Sequence, residues 1–450
     1  MDAQDLLQLL YNACTKAGVD EASTVVIEEN VHMTRFSENQ ITISENWDAV
    51  KAIAYLIKDH KRAAFMLEDL APERMHDAID AALAWMKRTE KPEVEVTLPE
   101  GPFTYGNVEN SYDPRIPRLD TELPDIVDEA VNASLSEKAK KASGVLRVQE
   151  HSRLIKTSGG CEGVERGTYL EFTIRAFHSD DASGHENWCG STRDGFDAEA
   201  LGSTAGRVAY QARNPSEGKP GVYNVILAPS VMGNLLNAIA LSSSAYMAEV
   251  GVSCLGDKVG QQVASGDLTL IDDARTPTSP GISLFDDEGS PTEPVEIIKD
   301  GILQTLLHSS YTMRKRKEGR LTGNAYYSLF GEVAPVPRCL FVKPGAASGD
   351  ELVKELGKGL YITNTWYTRF QNYITGDFST IPRDAIFTVE RGEISGSVKG
   401  LRISDNLLHL LKEVRALSRE RVWRRWWEVD TPIFLPSFLV ENISITKSTM

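Results

Sequence analysis

Several common features are missing from this 450-residue chain. No run of about 20 apolar residues exists, so a membrane-spanning helix is excluded. The five cysteines, Cys14, Cys161, Cys189, Cys254 and Cys339, are scattered and never form a Cys-x-x-Cys pair. Such usage excludes a disulfide framework and fits a reducing cytoplasm. Basic residues are outnumbered, 48 against 64 acidic ones, for a net charge of −16. That balance argues against broad nucleic-acid binding but leaves room for a local basic patch. The Gly-Lys-Ser/Thr of a phosphate loop, the GxSxG elbow and the HExxH zinc motif are all absent. The first residues, "MDAQDLLQLLYNACTKAG", are acidic and amphipathic, unlike a signal peptide.

Charge itself is missing from 220–248, 29 residues without Asp, Glu, Lys or Arg in a chain that is 25% charged. Asn234, Asn237 and the serines 242–244 interrupt this stretch, and Pro229 and Gly233 precede them, which argues against a span. Leu235, Leu236, Ile239, Ala240, Leu241 and Met247 make "NLLNAIALSSSAYM" apolar nearly all round, the mark of a buried helix. Taken alone, it offers no acid, base or metal ligand.

What is present is ordinary for a soluble protein: 41% hydrophobic residues and length for roughly two to four domains. Residues 1–90 read as helix, about four alternating strands, helix. A proline-rich segment, 91–121, reads as a linker or long loop. Residues 122–215 repeat the helix–four-strand–helix order, which suggests a structural duplication. From 216 to 450 short strands separated by Gly, Pro and Asp turns predict a mostly antiparallel β domain with helices, including helices near 349–357 and 404–415. Asp300-Gly301 marks a type I′ hairpin. The expected class is therefore α+β: two tandem α/β units followed by a β-rich domain.

Three local clusters carry candidate chemistry. His178, Asp180, Asp181, His185 and Cys189 fall in one segment, either a metal site or a polar hairpin tip. Asp286, Asp287 and Glu288 precede Gly289, either a Ca²⁺ or Mg²⁺ site or an acidic turn. Trp423, Arg424, Arg425, Trp426 and Trp427 mix aromatics with arginine. Such mixtures bind single-stranded nucleic acid or form interfaces, and the net negative charge favours the interface.

Several segments together resemble the TldD/PmbA family: "RFSENQIT", "LFDDEGSPTEPVEIIKDGILQTLLHSSYTMRK", "TGNAYY" with Gly323 and Asn324, "GLYITNTW", "NYITGDFS", "FTVERGEI" and "ISDNLLHLLKEV". They cover nearly the whole chain in order, and the PmbA branch, also called TldE, is the closer one. The resemblance implies a cytoplasmic protein of a group once described as modulators of DNA gyrase. Its members form a two-subunit peptidase acting on short or unfolded peptides. It further implies that a TldD-type subunit carries zinc on a helical HExxxH motif, with a cysteine near the C terminus. Laid on that motif, this chain has Asn237 and Ser242 at the histidine positions and Ala238 at the glutamate position, and no cysteine follows Cys339. Asn amide and Ser hydroxyl are poor zinc donors, and a methyl cannot move the proton of an attacking water.

The leading expectation is a TldE-type subunit without its own zinc or catalytic residues. It pairs with a zinc-bearing TldD-type subunit, holds peptide, and is able to self-associate when alone. Two others stand beside it: an independent hydrolase built on His178, His185 and Cys189 or on 286–288, and a nucleic-acid or gyrase-associated binder built on 423–427.

Overall fold

The computed structural model describes residues 2–328 and 331–448. The outermost residues of the first unit and the β-rich region (1, 449 and 450), together with 329–330, lie outside that description.

Helix α1 (Ala3–Lys16) starts where the Asp2 carboxylate accepts the Asp5 amide at 2.8 Å, a cap of about 1 kcal/mol. Its Leu6, Leu7, Leu10, Ala13 and Cys14 recur at helical spacing and are buried. They share a core with Ala22 and Val26 of β1 (Glu21–Ser37) and Ala52, Ala54 and Leu56 of β2 (Gln40–Lys58). The β1–β2 turn is Glu38-Asn39, with φ of 50° and 68°, the geometry that suits the twist of a tight hairpin. A like turn at Asp59-His60 leads to β3 (Lys61–Leu67), and α2 (Pro72–Arg88) completes the unit. The second unit repeats the order: α3 (Leu123–Ser136), β4 (Lys141–Thr157), β5 (Glu162–Ser179), β6 (Ala182–Gly190) and α4 (Ala198–Gln211).

Each unit thus has three strands, where four were expected. In the first unit, the two strands expected at 39–46 and 48–59 are one 19-residue strand, β2, over Gln40–Lys58. No Gly or Pro interrupts it, and Trp47 stays paired with Val31 across the point where a break was expected. The units are not separate bodies. They share one antiparallel sheet in the order β3-β2-β1-β4-β5-β6, with β1 and β4 paired from Ser23↔Thr157 to Phe36↔Gly144. The duplication therefore takes the form of two halves of one sheet, each covered by its own helix pair. On the second half α4 lies very close to α3. A Cβ on Gly202 would stand 2.1 Å from the Ala130 carbonyl oxygen, so only glycine fits.

Between the units, 91–121 contains a 3-10 turn, Pro117–Leu119, and is tied to both domains. Leu98 N donates to Glu21 at 2.6 Å, and the Tyr105 hydroxyl donates to the Gly289 carbonyl at 2.8 Å.

After residue 216 two further sheets enclose the largest core. One has ten strands and centres on Gly221–Leu227, Lys358–Ile362 and Phe438–Lys447. The other has six and includes Leu270–Asp272, Val295–Lys299, Leu340–Val342, Val422–Trp426 and Val429–Leu435. Most pairings are antiparallel. Asp300 and Gly301 both take positive φ, 48° and 80°, and close the expected hairpin with Lys299 opposite Ile302. Helix α5 (Pro229–Ser242) joins this core. Val231, Met232, Leu235, Leu236, Ile239 and Ala240 are fully buried, each large one contributing about 1.5–3 kcal/mol. The charge-free stretch thus holds the strand Gly221–Leu227 and a helix with one face in the core, Leu241 on its other face being 43% exposed. Among the described residues no helix is long and apolar enough to cross a membrane.

Candidate functional site

One stripe of α5 is polar. Asn234 and Asn237 are three residues apart and share a face with Leu241. Both amides are fully engaged. Asn237 Nδ2 donates to the Thr431 carbonyl at 3.0 Å, and its Oδ1 accepts the Thr431 amide at 2.7 Å. Asn234 Nδ2 donates to the Glu428 carbonyl at 2.6 Å, and its Oδ1 accepts from the Thr368 hydroxyl at 2.7 Å. The two residues bind the helix to the hairpin formed by Val422–Trp426 and Val429–Leu435. Beside this seam lies a groove of about 540 Å³, floored by Asn234, Asn237, Ala238 and Leu241 and walled by Arg338, Phe370, Arg425, Trp427 and the residues that follow it. The sequence reading missed Asn234. Its signal was a second amide one helical turn before Asn237 on an otherwise apolar helix.

Ser242 does not belong to this face. Five residues along an α-helix amount to a rotation of about 140°, and Ser242 ends α5 away from the groove lining. Its carbonyl accepts the Ser253 hydroxyl at 2.6 Å. Of the three positions matched to the zinc motif, Asn237 and Ala238 meet in the groove and Ser242 does not. Among the described residues no three His, Cys, Asp or Glu side chains gather into a metal-binding group.

The proposed histidine cluster is dispersed. His185 lies opposite Arg175 in the β5–β6 ladder, not opposite His178, because the hairpin turns at residues 180–181 and the bulge beside it shifts the register. His178 is half-buried, with Nδ1 2.8 Å from the Lys138 carbonyl. His185 is buried against Trp426, ring centroids 4.5 Å apart, and burial followed by the Arg175 charge pushes its pKa down to about 3. Cys189 is buried too, and its thiol is pushed far up by burial.

The acidic turn at 286–288 is not at the surface; all three carboxylates are buried. Asp286 Oδ1 accepts the amides of Glu288 and Ser290 at 3.0 and 2.8 Å, and Oδ2 accepts that of Ala325 at 3.1 Å. Glu288 Oε2 accepts the Ser310 amide and hydroxyl, both at 2.8 Å, while its buried Oε1 has no partner. Burial pushes Glu288 up to about 7, and burial with the nearby Glu288 charge raises Asp286 well above the usual carboxylate range. Asp287 pairs with Arg153 of β4, whose guanidinium also reaches Glu165 at 3.1 Å and the Phe285 carbonyl at 2.7 Å. The turn therefore docks the N-terminal sheet on the β-rich domain through Asp287, while Asp286 and Glu288 accept their hydrogen bonds from within the β-rich domain. Gly323 passes so near that a Cβ would meet the Pro291 oxygen at 2.4 Å. Asn324 holds the buried Asp272 at 2.6 Å.

The Trp/Arg segment is a hairpin strand rather than an open patch. Arg424 is buried, pairing with Glu186 at 2.8 Å and donating to the Asn187 carbonyl at 2.7 Å on β6. Trp426 is buried against His185, and Trp423 packs on Phe434 at 5.0 Å. Arg424 and Trp426 are buried on partners within the chain, whereas Trp423 is half-buried. Arg425 and Trp427 line the groove, and Trp427 is 73% exposed.

Groove, seam and sheets together define a recognised class. Residues 220–447 match the model of the PmbA/TldA metallopeptidase C-terminal domain. The chain belongs to the PmbA/TldD family. It is 30% identical over 240 residues to a metalloprotease of Methanocaldococcus jannaschii, covering 50% of this chain and 51% of that one. It is also 30% identical over 198 residues to the metalloprotease PmbA of Escherichia coli O157:H7, covering 43% and 40%. The matched stretch spans about half the length of these curated relatives. In solved structures, TldE from Thermococcus kodakarensis superposes with a TM-score of 0.84 at 20% identity, covering 98% of this chain and 99% of that one. A Thermotoga maritima protein described as a candidate modulator of a DNA gyrase gives 0.84 at 24% identity, covering 98% and 100%. These likenesses establish the shared fold.

Proposed function

We propose that this chain is a TldE-type, non-catalytic subunit of a cytoplasmic metallopeptidase, paired with a zinc-bearing TldD-type subunit and holding short or unfolded peptide for it. The observation that carries this reading is the use of Asn237. Where the family resemblance places a metal-binding histidine, an amide spends both its donor and its acceptor on the Thr431 backbone. Beside it Ala238 presents only a methyl where the motif would place the acid that takes a proton from water. The neighbouring groove supports the holding role: it is open, mixed in polarity and lined by a largely exposed tryptophan. The likeness to the Thermococcus TldE adds support at the level of fold.

The test is cleavage of an unstructured peptide by the purified chain, by a TldD-type family member, and by the two together. The expected result is no turnover by this chain alone and higher turnover by the pair than by the zinc subunit alone. Turnover by this chain alone, abolished by a chelator, would overturn the reading.

A further inference from the structure

Two half-buried arginines line the α5 groove without an ion pair among the described residues, although Arg425 hydrogen-bonds to Tyr169 and has the Glu171 charge nearby. Arg338 lies over the Tyr326 ring, 4.3 Å from its centroid, and Arg425 over the Tyr169 ring at 4.6 Å. Both line the groove. Among the described residues neither forms an ion pair, although 27 such contacts are made elsewhere. Arg338 Nε is buried with no hydrogen-bond partner at all. Two carboxylates share the lining, and neither neutralises these arginines. Glu428 accepts the Tyr367 amide at 3.2 Å and the Asn234 amide at 3.3 Å, and Asp430 is exposed.

A guanidinium over a tyrosine ring satisfies one face through the ring and leaves N–H groups of its planar fork for another acceptor. That fork matches a carboxylate, and a charge-assisted bond there is about twice as strong as a neutral one. Leaving such a donor buried and unmade is costly. Ala238 and Leu241 on α5, with Phe370 and Trp427, give the groove an apolar portion beside these arginines. In a chain of net charge −16, bare acidic peptide gains nothing from the overall field, so attraction has to be local.

We propose that Arg338 and Arg425 form a carboxylate-recognition subsite, which selects peptides presenting a carboxylate next to an apolar side chain. This rests on the peptide-holding reading and specifies the substrate class of the same groove. A free peptide C terminus and an Asp or Glu side chain share the chemistry.

The experiment uses the full chain and fluorescence anisotropy of labelled, unstructured Gly/Ser/Ala peptides ending in Phe. One peptide has a free C terminus, one is amidated, and one is amidated with two internal glutamates. The expected result is that a carboxylate-bearing peptide binds about tenfold more tightly than the amidated neutral one. Tightening by the free C terminus or by the glutamates identifies which source fills the subsite. Arg338→Met and Arg425→Met should each remove that preference, so that the three peptides bind each variant alike. Arg338→Lys, which keeps the charge without the planar fork, should restore part of the preference. Equal binding of all three peptides to the unsubstituted chain overturns the subsite and leaves the peptide-holding reading standing. Failure of every peptide to bind overturns both.

Discussion

Asn237 and Thr431 are joined by a two-point contact, the amide of one closing on the peptide group of the other at 3.0 and 2.7 Å. Together with Asn234 and Glu428 this seam fixes the hairpin wall of the groove to its floor. Asn237→Ala would strand a peptide N–H and C=O in a part-buried place, at a cost of about 1–3 kcal/mol. Urea unfolding should show that loss with little change in slope. A substitution that is neutral would mean that the amide does not hold the hairpin.

Restoring the motif letters should not restore the metal. Asn237→His with Ala238→Glu and Ser242→His restores two histidines and an acid but supplies no third ligand, since no cysteine follows Cys339. Isothermal titration with zinc should find no tight site. A stoichiometric site would mean that another side chain of the groove completes the ligand set.

The carboxyl of Glu288 gives stability a direction with pH. Its pKa is raised to about 7 in the fold, against about 4.3 when unfolded. Below about pH 4.3 both states hold the proton and the group is neutral to stability. As pH rises toward about 7 the unfolded chain releases its proton first, so stability falls through this window. Asp286 acts in the same direction. Glu288→Gln keeps an acceptor for Ser310 and cannot ionise. Its advantage over the unsubstituted chain should grow between pH 5 and pH 8 in denaturant titrations. A difference that stays constant across that range contradicts the assignment.

Arg153 sits at the domain seam with two buried acids. Removing one member of such a set leaves uncompensated charge. Arg153→Met alone should therefore cost about 3–5 kcal/mol, with Asp287→Asn in the same background costing much less than it does alone. Additive losses would show that the two residues act independently.

Much of the architecture is legible in the residues. Helical spacing of Leu6, Leu10 and Ala13, the Asp-Gly turn at 300–301 and the charge-free α5 all report periodicity or turn chemistry directly. Other features depend on contacts between segments far apart in the chain. The continuity of β2 through Asn46, Trp47 and Asp48 is set by pairing with β1. The region 404–415 looked helical, yet 401–406 pair as a strand with Asp377–Pro382, and the helix, Leu407–Lys412, begins only after the Asn406 cap. Asp286, Asp287 and Glu288 look like surface acids because, beyond the local amides of Glu288 and Ser290, the groups that hold them come from residues 153, 310 and 325–327. The groove was half legible. Asn237 and Ala238 stood out against the family motif, while Arg338 and the tyrosines beneath the two arginines gave no local signal.

The metal content of the purified chain tests the central claim, that α5 keeps the scaffold of a zinc helix without its chemistry. After incubation with zinc and exhaustive dialysis, elemental analysis should find far less than one zinc per chain, with the same value for Asn237→Ala. One zinc per chain, retained through dialysis and lost in Asn237→Ala, would contradict it.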